Sequence, residues 1–137
     1  MKKIFYVLLV ACCFISCKSD KEEINDYITD TIGLSAKQIL LSSFKDSKVI
    51  STKGKWWWIN AIEDESKVLK PNYKGDEIGT ENIEVVGEWF KVERVNMQTI
   101  RISVEENTNT STREITVILQ SGNYFDYIKV EQKKKSD

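Results

Sequence analysis

Apolar and polar residues alternate through most of the second half of this chain. Ile100, Ile102 and Val104 share one phase, and Arg101 and Ser103 take the other. Ile115, Val117 and Leu119 repeat the pattern, as do Ile128 and Val130. Successive side chains of a strand point to opposite faces, so this period marks strands with one buried face. Turn signals divide them. Asn96-Met97-Gln98 joins Trp89–Val95 to Thr99–Val104, and Ser121-Gly122-Asn123 joins Glu114–Gln120 to Tyr124–Gln132. Ile83–Val86 reads as a further short strand that ends at Gly87.

The first half is less regular. Gln38–Phe44 and Lys48–Thr52 are short apolar segments, Lys53-Gly54-Lys55 is a turn, and Trp56–Glu63 is a strongly aromatic strand. Residues 64–82 carry Pro71, Gly75 and Gly79 and read as a long loop, with a short strand near Val68-Leu69. Ser35–Leu41 competes weakly as a helix. The whole predicts an all-β fold, an antiparallel sandwich of about seven to nine strands over residues 34–134, with an open barrel as the alternative.

The start of the chain follows another rule. Lys2-Lys3 precedes an unbroken apolar run, Ile4–Ile15, and the sequence turns polar at Ser16-Cys17. This is the layout of a secretory signal peptide, and the run is too short to span a bilayer core of ~30 Å as a helix. A cysteine at the break resembles the lipobox of bacterial lipoproteins, in which the thiol is acylated and becomes the mature N-terminus. Leu9-Val10-Ala11-Cys12 fits that pattern better residue by residue. Cys17 is preferred because cleavage at Cys12 leaves Cys13, Phe14 and Ile15 as an apolar terminus. The expected order is signal peptide 1–16, lipidated terminus and tether 17–33, sandwich 34–134 and tail 135–137. Acidic Asp20, Glu22 and Glu23 resemble the export signal that carries some Bacteroidetes lipoproteins to the outer face of the outer membrane. Asp30-Thr31-Ile32 resembles the O-glycosylation tripeptide of the same bacteria.

Composition then removes function classes. All three cysteines lie in the signal region, so the mature domain has no intrachain disulfide and its stability rests on its core. Residues 1–16 hold two lysines and no acid, so their removal takes the net charge from −1 to about −3, which offers nothing to a nucleic acid. The chain has no histidine, hence no Ser-His-Asp triad and no imidazole metal site. No phosphate-binding glycine pattern appears. Glu63-Asp64-Glu65 and Asp76-Glu77 could be imagined as a glycosidase pair or a calcium site. Neighbours on a strand face opposite ways, and the clusters lack spaced oxygen ligands, so they read as solvated. The expectation is a non-enzyme with no cofactor and no metal.

Aromatic residues carry what functional signal remains. Indole and phenol rings stack on the apolar C–H faces of sugars, and polar neighbours bond the hydroxyls. In the run Trp56-Trp57-Trp58 the middle ring must oppose the other two. Trp57 is expected inward, with Trp56 and Trp58 outward, although Ile62 argues against that phase. Trp89 is expected to cap the core. If Ile128 and Val130 are buried, Phe125 and Tyr127 lie on the outer face beside Lys129 and Glu131.

The stretch from Trp89 to Gln132 resembles the BACON domain, the Bacteroidetes-associated carbohydrate-binding often N-terminal module. The matching features are Trp89 opening a strand, Ile100–Val104, a polar loop from Asn107 to Arg113, Ile115–Leu119, the turn at Gly122, and the closing Ile128-Lys129-Val130-Glu131-Gln132. The resemblance implies an immunoglobulin-like sandwich and a carbohydrate role. The expectation is therefore an outer-membrane lipoprotein, anchored through Cys17 and facing the cell exterior. It would bind glycan or mucin-like ligands, polysaccharide or glycoprotein, through Trp56, Trp58, Tyr73, Phe125 and Tyr127. The alternative is a protein-interaction or spacer subunit of an outer-membrane assembly.

Overall fold

The computed structural model describes residues 29–65, 67–74 and 78–135. Cys12, Cys17, the signal peptide, most of the tether and Asp76-Glu77 lie outside them. Nine strands form among the described residues, and no helix does. They are β1 (Gln38–Leu41), β2 (Asp46–Ser51), β3 (Trp58–Asp64), β4 (Lys67–Leu69), β5 (Ile83–Val86), β6 (Phe90–Asn96), β7 (Thr99–Val104), β8 (Arg113–Ser121) and β9 (Tyr124–Gln132). A five-stranded sheet, β1-β9-β8-β3-β4, packs on a four-stranded sheet, β2-β7-β6-β5. The all-β sandwich read from the alternation is the fold.

The core lies between the sheets. Ile100, Ile102 and Val104 of β7 face Ile115, Val117 and Leu119 of β8 and Ile128 and Val130 of β9, all at most 2% exposed. Each such side chain contributes about 1.5–3 kcal/mol by leaving water. The β8–β9 hairpin closes through Gly122, whose φ of +58° suits the tight turn.

Two expectations are corrected. The sandwich is not antiparallel throughout, because β1 pairs in parallel with β9, Gln38 opposite Lys129 and Leu41 opposite Gln132. Alternation reports which face is buried but not the direction of the neighbour. The tether also ends earlier than residue 33. Ile32 is fully buried in the core. Asp30 Oδ1 accepts from the amides of Ile32 and Gly33 at 3.1 and 2.7 Å, and the Ile32 carbonyl accepts from Lys53 and Gly54. A Cβ on Gly54 would stand 2.0 Å from the Thr31 carbonyl oxygen, so glycine is required for this approach. The packed domain begins at Asp30.

The conflict over the tryptophan run also resolves. Trp57 is fully buried and donates through Nε1 to Thr52 Oγ1 at 3.0 Å. Ile59 opposes Leu119, then the register shifts, and Ala61 opposes Ile118. Asn60 is the extra residue of this β-bulge, so Ile59 and Ile62 both point inward although three positions apart.

Four of the residues on which the family resemblance rests, Trp89, Asn107, Arg113 and Gln132, lie together at one end of the sandwich. The Arg113 guanidinium lies 4.3 Å from the Trp89 ring centre, and its Nε donates to Gln132 Oε1 at 2.9 Å. Fully buried Gln132 donates in turn to the carbonyls of Ser43, Phe44 and Glu105. Buried Asn107 donates to the carbonyls of Ser111 and Lys133 and receives the Asn109 amide on its side-chain oxygen. These side chains satisfy the backbone of the connecting loops; their work is structural.

Candidate ligand-binding face

The two outer faces of the sandwich carry different side chains. On the four-stranded sheet Glu84, Lys91, Glu93 and Arg101 face outward in register. Lys91 bridges Glu93 at 2.9 Å and Glu84 at 3.6 Å, and Arg101 lies 3.9 Å from Glu93. These ion pairs cover the middle of that face, with exposed Val49 opposite Arg101 and exposed Val86 opposite Lys91.

The outer face of the five-stranded sheet is polar toward one end, where Glu63, Thr116 and Lys129 and then Glu114 and Glu131 point outward, and aromatic toward the other. The β3, β8 and β9 registers align Trp58, Gln120 and Phe125 in one row across the strands, and Ala61, Ile118 and Tyr127 in the next. Phe125 is 41% exposed and Tyr127 50%, Trp58 is partly exposed, and Leu40 and Val68 lie exposed toward the two edges. Neighbouring strands are ~4.8 Å apart, so three rings gather on one small surface. Solvated sheet faces ordinarily carry polar side chains in these positions.

The polar groups between the rings are held in place. Gln120 Oε1 accepts from Asn60 Nδ2 at 2.7 Å, and its Nε2 donates to the Gly122 carbonyl at 2.8 Å. The bulge puts Asn60 where it can reach Gln120. The side-chain amide in the middle of the Trp58–Phe125 row therefore has a fixed orientation, with hydrogen-bonding capacity left over on both atoms. Side chains of these types can stack on rings and bond hydroxyls. No group of carboxylates and imidazoles suited to a metal ion occurs among the described residues.

Three of the five aromatics expected to bind ligand thus share one face: Trp58, Phe125 and Tyr127. Trp56 is 80% exposed and precedes the strand, on the side away from the core relative to Trp57. Tyr73 does something else. Its hydroxyl donates to the Ile59 carbonyl at 3.0 Å and accepts from the Ile59 amide at 3.1 Å. Short β4 covers only Ile62–Asp64, and Tyr73 closes the free edge of β3 beyond it. Burial pushes its phenol up to about 12.

Sequence reading missed Asn60, Gln120 and Ile118 on this face, and it missed Arg94 beneath it. Arg94 is 1% exposed and lies 4.4 Å from the Trp57 ring centre. It donates to the carbonyls of Thr80 and Lys55 at 2.9 and 2.8 Å, tying the long loop to the tryptophan run. Desolvation lowers its pKa. A separate depression of about 340 Å³ flanks Trp89, walled by Asp64, Lys67, Glu88, Asn109 and Arg113. The Lys67–Glu88 ion pair is part of that wall, and Arg113 already lies over the indole.

No family model matches the chain, and no curated protein does. Among solved structures it is similar to the NMR structure of a protein from Bacteroides thetaiotaomicron, at 20% identity and a TM-score of 0.65, over 82% of this chain and 95% of that one. The likeness is one of fold.

Proposed function

We propose that this protein is a non-catalytic, lipid-anchored glycan-binding module of the BACON type, held at the outer membrane through Cys17 and facing the cell exterior. Its ligand-binding surface is the outer face of the five-stranded sheet. Trp58, Phe125 and Tyr127 stack on sugar rings, and Gln120 and Asn60 bond their hydroxyls. The observation that carries this reading is the row Trp58–Gln120–Phe125, two rings on either side of an oriented amide, with the Tyr127 ring in the next row. Twelve residues, Lys18 to Thr29, separate Cys17 from the packed domain, a reach of at most about 40 Å, enough to hold that face clear of a bilayer surface.

The test is a glycan array of polysaccharides and mucin-type glycoproteins, followed by titration with tryptophan fluorescence. Saturable binding that Trp58→Ala weakens at least tenfold supports the reading. Absence of binding to every glycan at millimolar concentration overturns it. Metabolic labelling with a fatty acid tests the anchor, and loss of label in Cys17→Ala is the expected result.

Exposed Leu40 and Val68 at the margins of the same face favour a second reading, a protein partner in an outer-membrane assembly. A stoichiometric partner recovered from detergent-solubilised membranes, and lost on Leu40→Ser, would support it.

A further inference from the structure

The row Trp58–Gln120–Phe125 defines more than a sticky surface. Register places the three residues directly opposite one another on adjacent strands. Opposed Cα atoms in antiparallel pairs alternate between ~5.5 and ~4.5 Å, so Trp58 and Phe125 stand about 10 Å apart, on a line perpendicular to the strands. A side-chain amide held by Asn60 and the Gly122 carbonyl occupies the midpoint. The order along the line is ring, oriented amide, ring.

From this geometry, and resting on the glycan-binding reading above, we infer that the ligand is an unbranched, neutral β-1,4-linked glycan that lies across the strands and engages three consecutive sugar rings. In such a chain the substituents are mostly equatorial, so each ring offers broad apolar faces. Successive rings are flipped, and every second ring presents the same face at a spacing that matches the two aromatics. The first and third rings stack on Trp58 and Phe125, and the middle ring places its hydroxyls over Gln120. An α-1,4 glucan curls and cannot lay two such rings along a straight row. No charged side chain lies within the row, which selects a neutral ligand. Strands also twist by roughly 20–25° from one to the next, so the two stacking planes are rotated relative to each other. That rotation suits a single soluble chain and not the flat face of a crystalline fibre.

The experiment is calorimetric titration of the full chain in detergent with cellobiose, cellotriose, cellohexaose, the matching chito- and xylo-oligosaccharides, and maltohexaose. At least one β-1,4 series should gain roughly tenfold in affinity from the disaccharide to the trisaccharide. The gain should shrink beyond the trisaccharide and vanish in both Trp58→Ala and Phe125→Ser. Maltohexaose should bind at least tenfold more weakly. The two substitutions lie on the outer face, and circular dichroism checks that each variant folds. Saturation-transfer NMR on the unmodified chain gives a second readout, with ring protons of alternate sugars receiving the transfer. Tightest binding to maltohexaose, to a branched mucin glycan or to crystalline cellulose alone overturns this inference and leaves the glycan-binding reading standing. So does a disaccharide that binds as tightly as the trisaccharide. Silence from every oligosaccharide here and every glycan on the array overturns both.

Discussion

The Tyr73 hydroxyl grips both backbone groups of Ile59, accepting from the amide and donating to the carbonyl. One side chain thereby replaces the strand that β4 is too short to supply, next to the bulge that sets the phase of β3. Tyr73→Phe keeps the ring and removes both bonds. It should cost about 1–3 kcal/mol, since a half-buried amide and carbonyl lose their partner. Urea denaturation measures the cost, and hydrogen exchange at the Ile59 amide should accelerate sharply. An unchanged exchange rate would mean that the clamp is not what protects this edge.

The same phenol gives an alkaline signature. Burial raises its pKa from 10.0 to about 12. The unfolded chain loses its proton first, so this stabilisation is complete below pH 10 and disappears as pH rises toward 12. The wild-type midpoint in urea should fall across that window, and the fall should be smaller in Tyr73→Phe.

Adjacent tryptophans should behave as opposites. Trp57 is enclosed, bonded to Thr52 and stacked by Arg94, whereas Trp56 is 80% exposed. Trp57→Phe should cost about 2–4 kcal/mol through lost volume and a lost hydrogen bond. Trp56→Ala should stay within about 0.5 kcal/mol. Thermal denaturation of the two variants checks the pair, and equal costs would contradict the inward phase.

Alternation made β6 to β9 legible because each has one dry face and one wet face. The turn at Gly122 even fixes Gln120 opposite Phe125, so the middle of the candidate row could have been found from the hairpin. Arg94 also left a trace, since it continues the inward phase of Phe90 and Val92. Its neighbour Val95 obscured that trace. The bulge at Asn60 left only the conflict between Trp57 and Ile62: its place is set by pairing with β8 and by the clamp from Tyr73, contacts that no local pattern encodes. The parallel partnering of β1 is likewise a property of the sheet and not of the segment. Tyr73 was read as a ligand contact because an aromatic in a polar loop resembles a platform residue until its hydroxyl partner is known.

The N-terminal entry should respond to acid. The amides of Gly33 and, more weakly, Ile32 hold the Asp30 carboxyl below its usual value of 3.8. A depressed carboxylate stabilises the fold above its unfolded pKa, and the contribution is lost as pH falls through the folded value. Asp30→Ala should therefore destabilise the protein at neutral pH and flatten the acid limb of its stability curve. Amide exchange at Ile32 and Gly33 should rise in the same variant. A parallel downward shift of the whole curve would show that the carboxyl's charge plays no part.

Gln132 supplies the most demanding test of the structural end of the sandwich. It is fully buried, donates to three loop carbonyls and accepts from Arg113, which in turn covers Trp89. Gln132→Leu preserves size and apolar packing but leaves the Phe44 carbonyl and the Arg113 Nε without this partner, while the Ser43 carbonyl keeps the Asn107 amide and the Glu105 carbonyl keeps the Arg113 Nη2. Each group left without a partner costs about 1–3 kcal/mol when water cannot reach it, so the loss should be about 1–3 kcal/mol. The loss should spread: with Arg113 held only through the Glu105 carbonyl, Trp89 emission should shift to the red in the folded state. Gln132→Glu restores the acceptor for Arg113 but confronts three carbonyls with a carboxylate in place of a donor. It should be no more stable than Gln132→Leu at neutral pH and should recover on acidification, when the carboxyl regains a proton to donate. A Gln132→Leu variant as stable as the parent would remove the closing glutamine from the list of residues that hold this fold together.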